Sequence, residues 1–103
     1  MTALIDLTGA SGARYRFTQM DENRFLPPAG ANYVIAHIKT GPPTVVFVGE
    51  TDNLASLTWR AELDKARETY AEAVVLTRLN VTRSTRDAER SDLIENYHPP
   101  MNS

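Results

Sequence analysis

The chain has 103 residues, of which 42% are hydrophobic and 23% charged, a balance that fits one ordinary globular domain and excludes a disordered or membrane-spanning chain. Its formal charge of -2 excludes a grip on nucleic acid by bulk electrostatics, because that affinity comes from Lys and Arg displacing counterions along the phosphates. The absence of cysteine excludes disulfides and thiolate metal sites.

Residues 4–7 and 15–19 are short β-prone runs, and the Thr8-Gly9-Ala10-Ser11-Gly12 segment between them reads as a turn, so an N-terminal hairpin is expected. Residues 20–30 carry polar residues, two adjacent prolines and a glycine, and read as a loop anchored by Phe25 and Leu26. Residues 32–39 alternate, placing Tyr33, Ile35 and His37 on one side and Val34, Ala36 and Ile38 on the other. After Gly41-Pro42-Pro43, residues 44–49 form a run in which Val45, Val46, Phe47 and Val48 are all apolar, the pattern of a central strand covered on both faces. That run is strand-sized, well under the roughly 20 residues that cross a bilayer.

The period then changes. Trp59, Leu63, Ala66 and Tyr70 recur at spacings of four, three and four, one stripe of a helix that Leu54, Leu57 and Ala61 widen. Arg60, Asp64 and Arg67 fall together beside it, at spacings that suit a salt-bridged flank. Residues 73–79 return to β character through Val74, Val75 and Leu76. Ser84 or Thr85 is an N-cap candidate for a second helix, with Asp87 or Glu89 to complement its dipole, and Pro99 and Pro100 end it after Tyr97. The expected class is α/β (α+β): a small mixed sheet with two main helices in the order β-β-β-β-α-β-α. Residues 1–103 are read as one domain, with a hairpin and loop over 1–30 and a core over 31–102.

Searches for familiar chemistry are mostly negative. The sequence has no phosphate-binding Walker loop, no Gly-x-Gly-x-x-Gly run and no nucleophile elbow. His37 and His98 are the only histidines, and neither has a second histidine at the spacing of a helical zinc site. His37 lies on an otherwise apolar strand face, as a hydrogen-bonded core or pocket residue does. The segment holding Arg78, Arg83, Arg86 and Arg90 is a local candidate for phosphate contact, diluted by Asp87 and Glu89. The opening Met-Thr-Ala-Leu-Ile-Asp has no basic leader or apolar stretch, so a cytoplasmic location and no membrane partner are expected.

One constellation covers most of the chain. Ala31-Asn32-Tyr33 opens a strand, Phe47-Val48-Gly49 closes the next, Thr51 and Leu54 follow before a helix, and Leu93-Ile94 precedes Pro99 and Asn102. In order and spacing this resembles the GIY strand, the YIG strand with its Gly-x-Thr-x-x-Leu continuation, and the terminal Leu-Ile…Pro-x-x-Asn of the GIY-YIG nuclease family. The resemblance implies a β-β-α-β-α core, two tyrosines around an attacking water, an arginine on the phosphate, a helix glutamate on one divalent metal and a supporting asparagine. Tyr33 and Asn102 match the first tyrosine and the asparagine. The second tyrosine falls on Phe47, the arginine on Leu57 and the glutamate on Arg90.

The change at Arg90 tells most against cleavage, because a hard divalent cation wants carboxylate oxygens and a guanidinium supplies only donors and positive charge. No metal site and no cofactor are expected. The leading expectation is therefore a degenerate GIY-YIG-like domain without metal-dependent nuclease activity, with a pocket around Tyr33, His37, Arg60, Arg90 and Asn102 that binds DNA, RNA or another phosphate-bearing ligand. Two other classes stay open. One is an active endonuclease using Mg²⁺ or Mn²⁺, with Tyr33 catalytic, Glu89 or Asp87 in place of the lost glutamate and Arg60 in place of the lost arginine. The other is a protein-interaction module.

Overall fold

The computed structural model describes residues 4–21, 26–38 and 41–102. The expected anchor Phe25 and the strand-end Lys39 lie outside the described residues. Five strands, β1 (Leu4–Thr8), β2 (Arg14–Gln19), β3 (Ala31–His37), β4 (Thr44–Thr51) and β5 (Val74–Leu79), combine with two helices, α1 (Trp59–Arg67) and α2 (Arg83–Tyr97). Single 3₁₀ turns occupy Leu54–Ser56 and Pro100–Asn102.

The strands form one sheet in the order β1-β2-β5-β3-β4, and every neighbouring pair is antiparallel. This corrects the mixed sheet expected above. β4 and β5 do run in the same direction, as a strand-helix-strand unit requires, but β3 lies between them; likewise β5 separates β2 from β3. The N-terminal hairpin extends the sheet by pairing Thr18 with Thr77 and Gln19 with Leu76.

The central strand is β3, buried from Ala31 through Ala36 because a helix covers each face. On one face α1 presents Trp59, Leu63 and Ala66, all at most 1% exposed, to Ile35, Val46 and Val75. Burying each large side chain of this kind stabilises the fold by about 1.5–3 kcal/mol. On the other face Leu93 of α2 packs into a cluster with Leu7, Phe17, Val34, Val48 and Leu76. The sheet curls around α2, so that the helix reaches Glu50 on one edge strand through Arg86 and Thr8 on the other through Asn96 and Tyr97.

β4 is an edge strand, although its continuous apolar run reads as a central one. A bulge between Ile35 and Ala36 of β3 leaves Val46 as an extra residue opposite the pair, so that the neighbours Val46 and Phe47 both pack in the α1 cluster while Val45 and Val48 pack in the α2 cluster. Asn102 then takes the place of a missing neighbour strand. Its side-chain carbonyl accepts from the Val48 N–H at 2.8 Å and its amide donates to the Val48 carbonyl at 3.0 Å, satisfying the backbone groups that an edge exposes.

The helix ends also differ from expectation. Leu54 is buried through the 3₁₀ turn, whereas Leu57 is 43% exposed with a positive φ of 60° and Ala61 is exposed. α2 begins at Arg83 with Thr82 as N-cap, ahead of Ser84 and Thr85, and Thr82 makes no side-chain capping bond.

Candidate functional site

Tyr33 is the pivot of a cleft that also holds the motif residue Thr51. Its partner across the β3–β4 ladder is Gly49, and a Cβ on Gly49 would overlap the distal end of the Tyr33 ring. The glycine is thus required by the ring that crosses it. Phe47 flanks the same ring, with centroids 5.9 Å apart. The phenol lies at a cleft of about 360 Å³ lined by Glu50, Asp52, Thr58, Arg83 and Arg86 as well as Tyr33 itself.

Tyr33 is only 5% exposed, and its hydroxyl makes no hydrogen bond among the described residues. Burial pushes its pKa up to about 12; Glu62 and Glu50 push the same way, and Arg90 opposes them. The group is therefore a neutral hydroxyl at physiological pH, suited to donate to an anion and unsuited to serve as a phenolate base.

Three arginines run along α2 at spacings of three and four, Arg83, Arg86 and Arg90, which places them on one stripe. They have different tasks. Arg86 has a side chain only 4% exposed: its Nε donates to Glu50 at 2.9 Å, and its Nη1 donates to the carbonyls of Asn80 at 3.0 Å and Val81 at 2.7 Å. Its Nη1 also occupies the space a Cβ on Gly30 would fill. Arg83 is 80% exposed and meets Asp87 only at 3.8 Å. Arg90 is half-buried, its charge acts on Tyr33, and no ion pair to it is found among the described residues.

The residues expected in a single pocket separate. Of these residues only Tyr33 lines the cleft, and Arg90 acts on it through its charge. His37 is four residues along β3, about 13 Å away at strand rise, and its ring lies 5.8 Å from Tyr70 instead. Arg60 stacks over the Trp59 indole at 4.8 Å. Asn102 has both functions of its amide engaged by Val48, so it supports the strand under the cleft and is not free to bind a ligand. Glu89 is turned beneath α2, where it accepts from Arg78 Nε at 2.9 Å. Its rotation of about 100° from Arg90 takes it away from Tyr33, and Asp87 is committed to the exposed pair with Arg83.

Sequence reasoning missed Glu50, Asp52 and Glu62, the carboxylates around the cleft. No local pattern links Glu50 to Arg86, since the pair forms across the fold. The arginine stripe was recoverable from its 3-4 spacing. Among the described residues no group of three or more His, Cys, Asp or Glu side chains is placed to hold a metal ion, and no helix is long and apolar enough to cross a membrane. Comparison with protein-family models, curated proteins and solved structures finds no match to this chain.

Proposed function

We propose that the chain is a GIY-YIG-like domain in which the Tyr33 cleft recognises a phosphate-bearing ligand, nucleic acid first among them, without metal-dependent cleavage. One observation carries the reading: where the family pattern has its metal carboxylate, this chain has Arg90, and its charge acts on the Tyr33 hydroxyl. The neighbouring carboxylate that could replace it, Glu89, is held by Arg78 on another side of the helix. The neutral Tyr33 phenol and the Arg83 guanidinium line one cleft, with the Arg90 charge acting on the phenol, and these groups suit an anion better than a cation. The support of β4 by Asn102 is in keeping with the supporting asparagine that the motif resemblance implies. The cysteine-free sequence fits a cytoplasmic protein.

Titration with short DNA and RNA tests the proposal. Arg90→Glu should weaken binding by about tenfold to a hundredfold, the range of one charge-assisted hydrogen bond, and unchanged affinity would remove the assignment. Incubation with duplex and branched DNA plus Mg²⁺ or Mn²⁺ provides the second arm. Cleavage abolished by Glu89→Ala would restore the nuclease reading.

A further inference from the structure

We propose that the cleft seats a terminal phosphate, the phosphomonoester of a nucleotide either free or at a strand end, at the first turn of α2 between Tyr33 and Arg83. This rests on the phosphate-recognition reading and narrows its ligand from a run of diesters to one dianionic group.

The first turn of a helix offers backbone N–H groups with no partner inside the helix, together with the positive end of its dipole. In α2 Thr82 makes no side-chain capping bond and the first turn holds no acidic residue. Arg83 and Arg86 of that turn line the cleft. An independent feature points to the same place. The Tyr33 hydroxyl, on a residue 95% buried by its 5% exposure, opens on the cleft with no hydrogen-bond partner among the described residues. The hydroxyl itself is open to the cleft, where it can donate to an oxyanion.

The carboxylates decide what kind of anion fits. Glu50 and Asp52 line the cleft and Glu62 acts on Tyr33, so a diester backbone running through it would meet repulsion at successive phosphates. A single phosphate set against the helix end avoids them. Being a dianion of about -1.5 to -2 charge at pH 7, it also gains more from Arg83, Arg90 and the helix dipole than a singly charged diester does. Asp52, which has no ion pair among the described residues, is an acceptor for a hydroxyl on the same ligand. A volume of about 360 Å³ lies within the range of small-ligand sites.

The test is calorimetric titration of the full chain with inorganic phosphate, a nucleoside 5′-monophosphate, the parent nucleoside, and one short oligonucleotide carrying a 5′-phosphate or a 5′-hydroxyl. The phosphorylated member of each pair should bind at least about tenfold tighter. Tyr33→Phe and Arg83→Gln should each lower that affinity about tenfold, with folding checked by circular dichroism, while Arg16→Gln on β2, three strands away from β4, leaves it unchanged. Comparable binding of the monophosphate and the phosphorylated oligonucleotide supports a free nucleotide; tighter binding of the oligonucleotide supports a strand end. Equal affinity for the 5′-phosphate and 5′-hydroxyl forms, still weakened by Arg90→Glu, overturns the terminal phosphate and leaves diester recognition standing. Binding of no phosphate compound overturns both, and insensitivity to Tyr33→Phe and Arg83→Gln overturns the location.

Discussion

Tyr33 and Arg86 line the same cleft but differ in role, one with its polar group unused and the other engaged through Nε and Nη1. Because burial raises the Tyr33 pKa to about 12, the folded state keeps a proton that the unfolded chain releases near pH 10. Stability is therefore whole below pH 10 and declines as pH rises toward 12. Denaturant titrations across that window should show the decline in the wild type and a shallower one in Tyr33→Phe, with little difference between the two at pH 7. Arg86→Ala is the contrasting case. It strands the Glu50 carboxylate and frees the carbonyls of Asn80 and Val81, so a loss of about 3–5 kcal/mol is expected from chemical denaturation.

At the scale of elements, the turn of the β1–β2 hairpin is fastened to α2 through the Asp92 carboxylate. Asp92 accepts from the Ser11 N–H at 2.8 Å, the Ser11 hydroxyl at 2.6 Å and the Tyr15 hydroxyl at 2.7 Å, and the bonds from Ser11 and then Tyr15 hold its pKa below the ordinary carboxylate value. The fastening is complete above the unfolded value of about 3.9 and is lost as pH falls through the lowered folded value. Asp92→Ala should speed hydrogen exchange at the Ser11 amide while leaving the β3–β4 ladder protected. The hairpin itself was legible from β-prone runs around a glycine turn, and α1 from the 4-3-4 stripe ending at Tyr70, because both signals are local. The edge position of β4 was not legible: its apolar run reflects cover by two helices, and the side chain that closes its edge stands 54 residues later, from Val48 to Asn102. For the same reason Tyr33 and Arg90 could be paired only through the motif resemblance, while His37 and Arg60 share their surroundings with Tyr70 and Trp59.

At the scale of the molecule, both rims of the sheet are closed by side chains from the C-terminal part of the described chain. Tyr97 accepts from the Thr8 N–H at 3.0 Å and Asn96 donates to the Thr8 carbonyl at 2.7 Å, while Asn102 occupies Val48. Asn102→Ala should bare part of the β4 edge, lowering stability by about 1–3 kcal/mol and raising self-association in light scattering, since an open edge pairs with other chains. The interleaving of β3 between the co-directional β4 and β5 has a kinetic side. β3 meets β4 soon after a turn, but its other edge waits for pairings as distant as Ala31 with Leu79, each requiring closure of a long loop before any contact repays it. The arrival of β5, carried in by α1, is thus the event that sets how long the chain takes to fold.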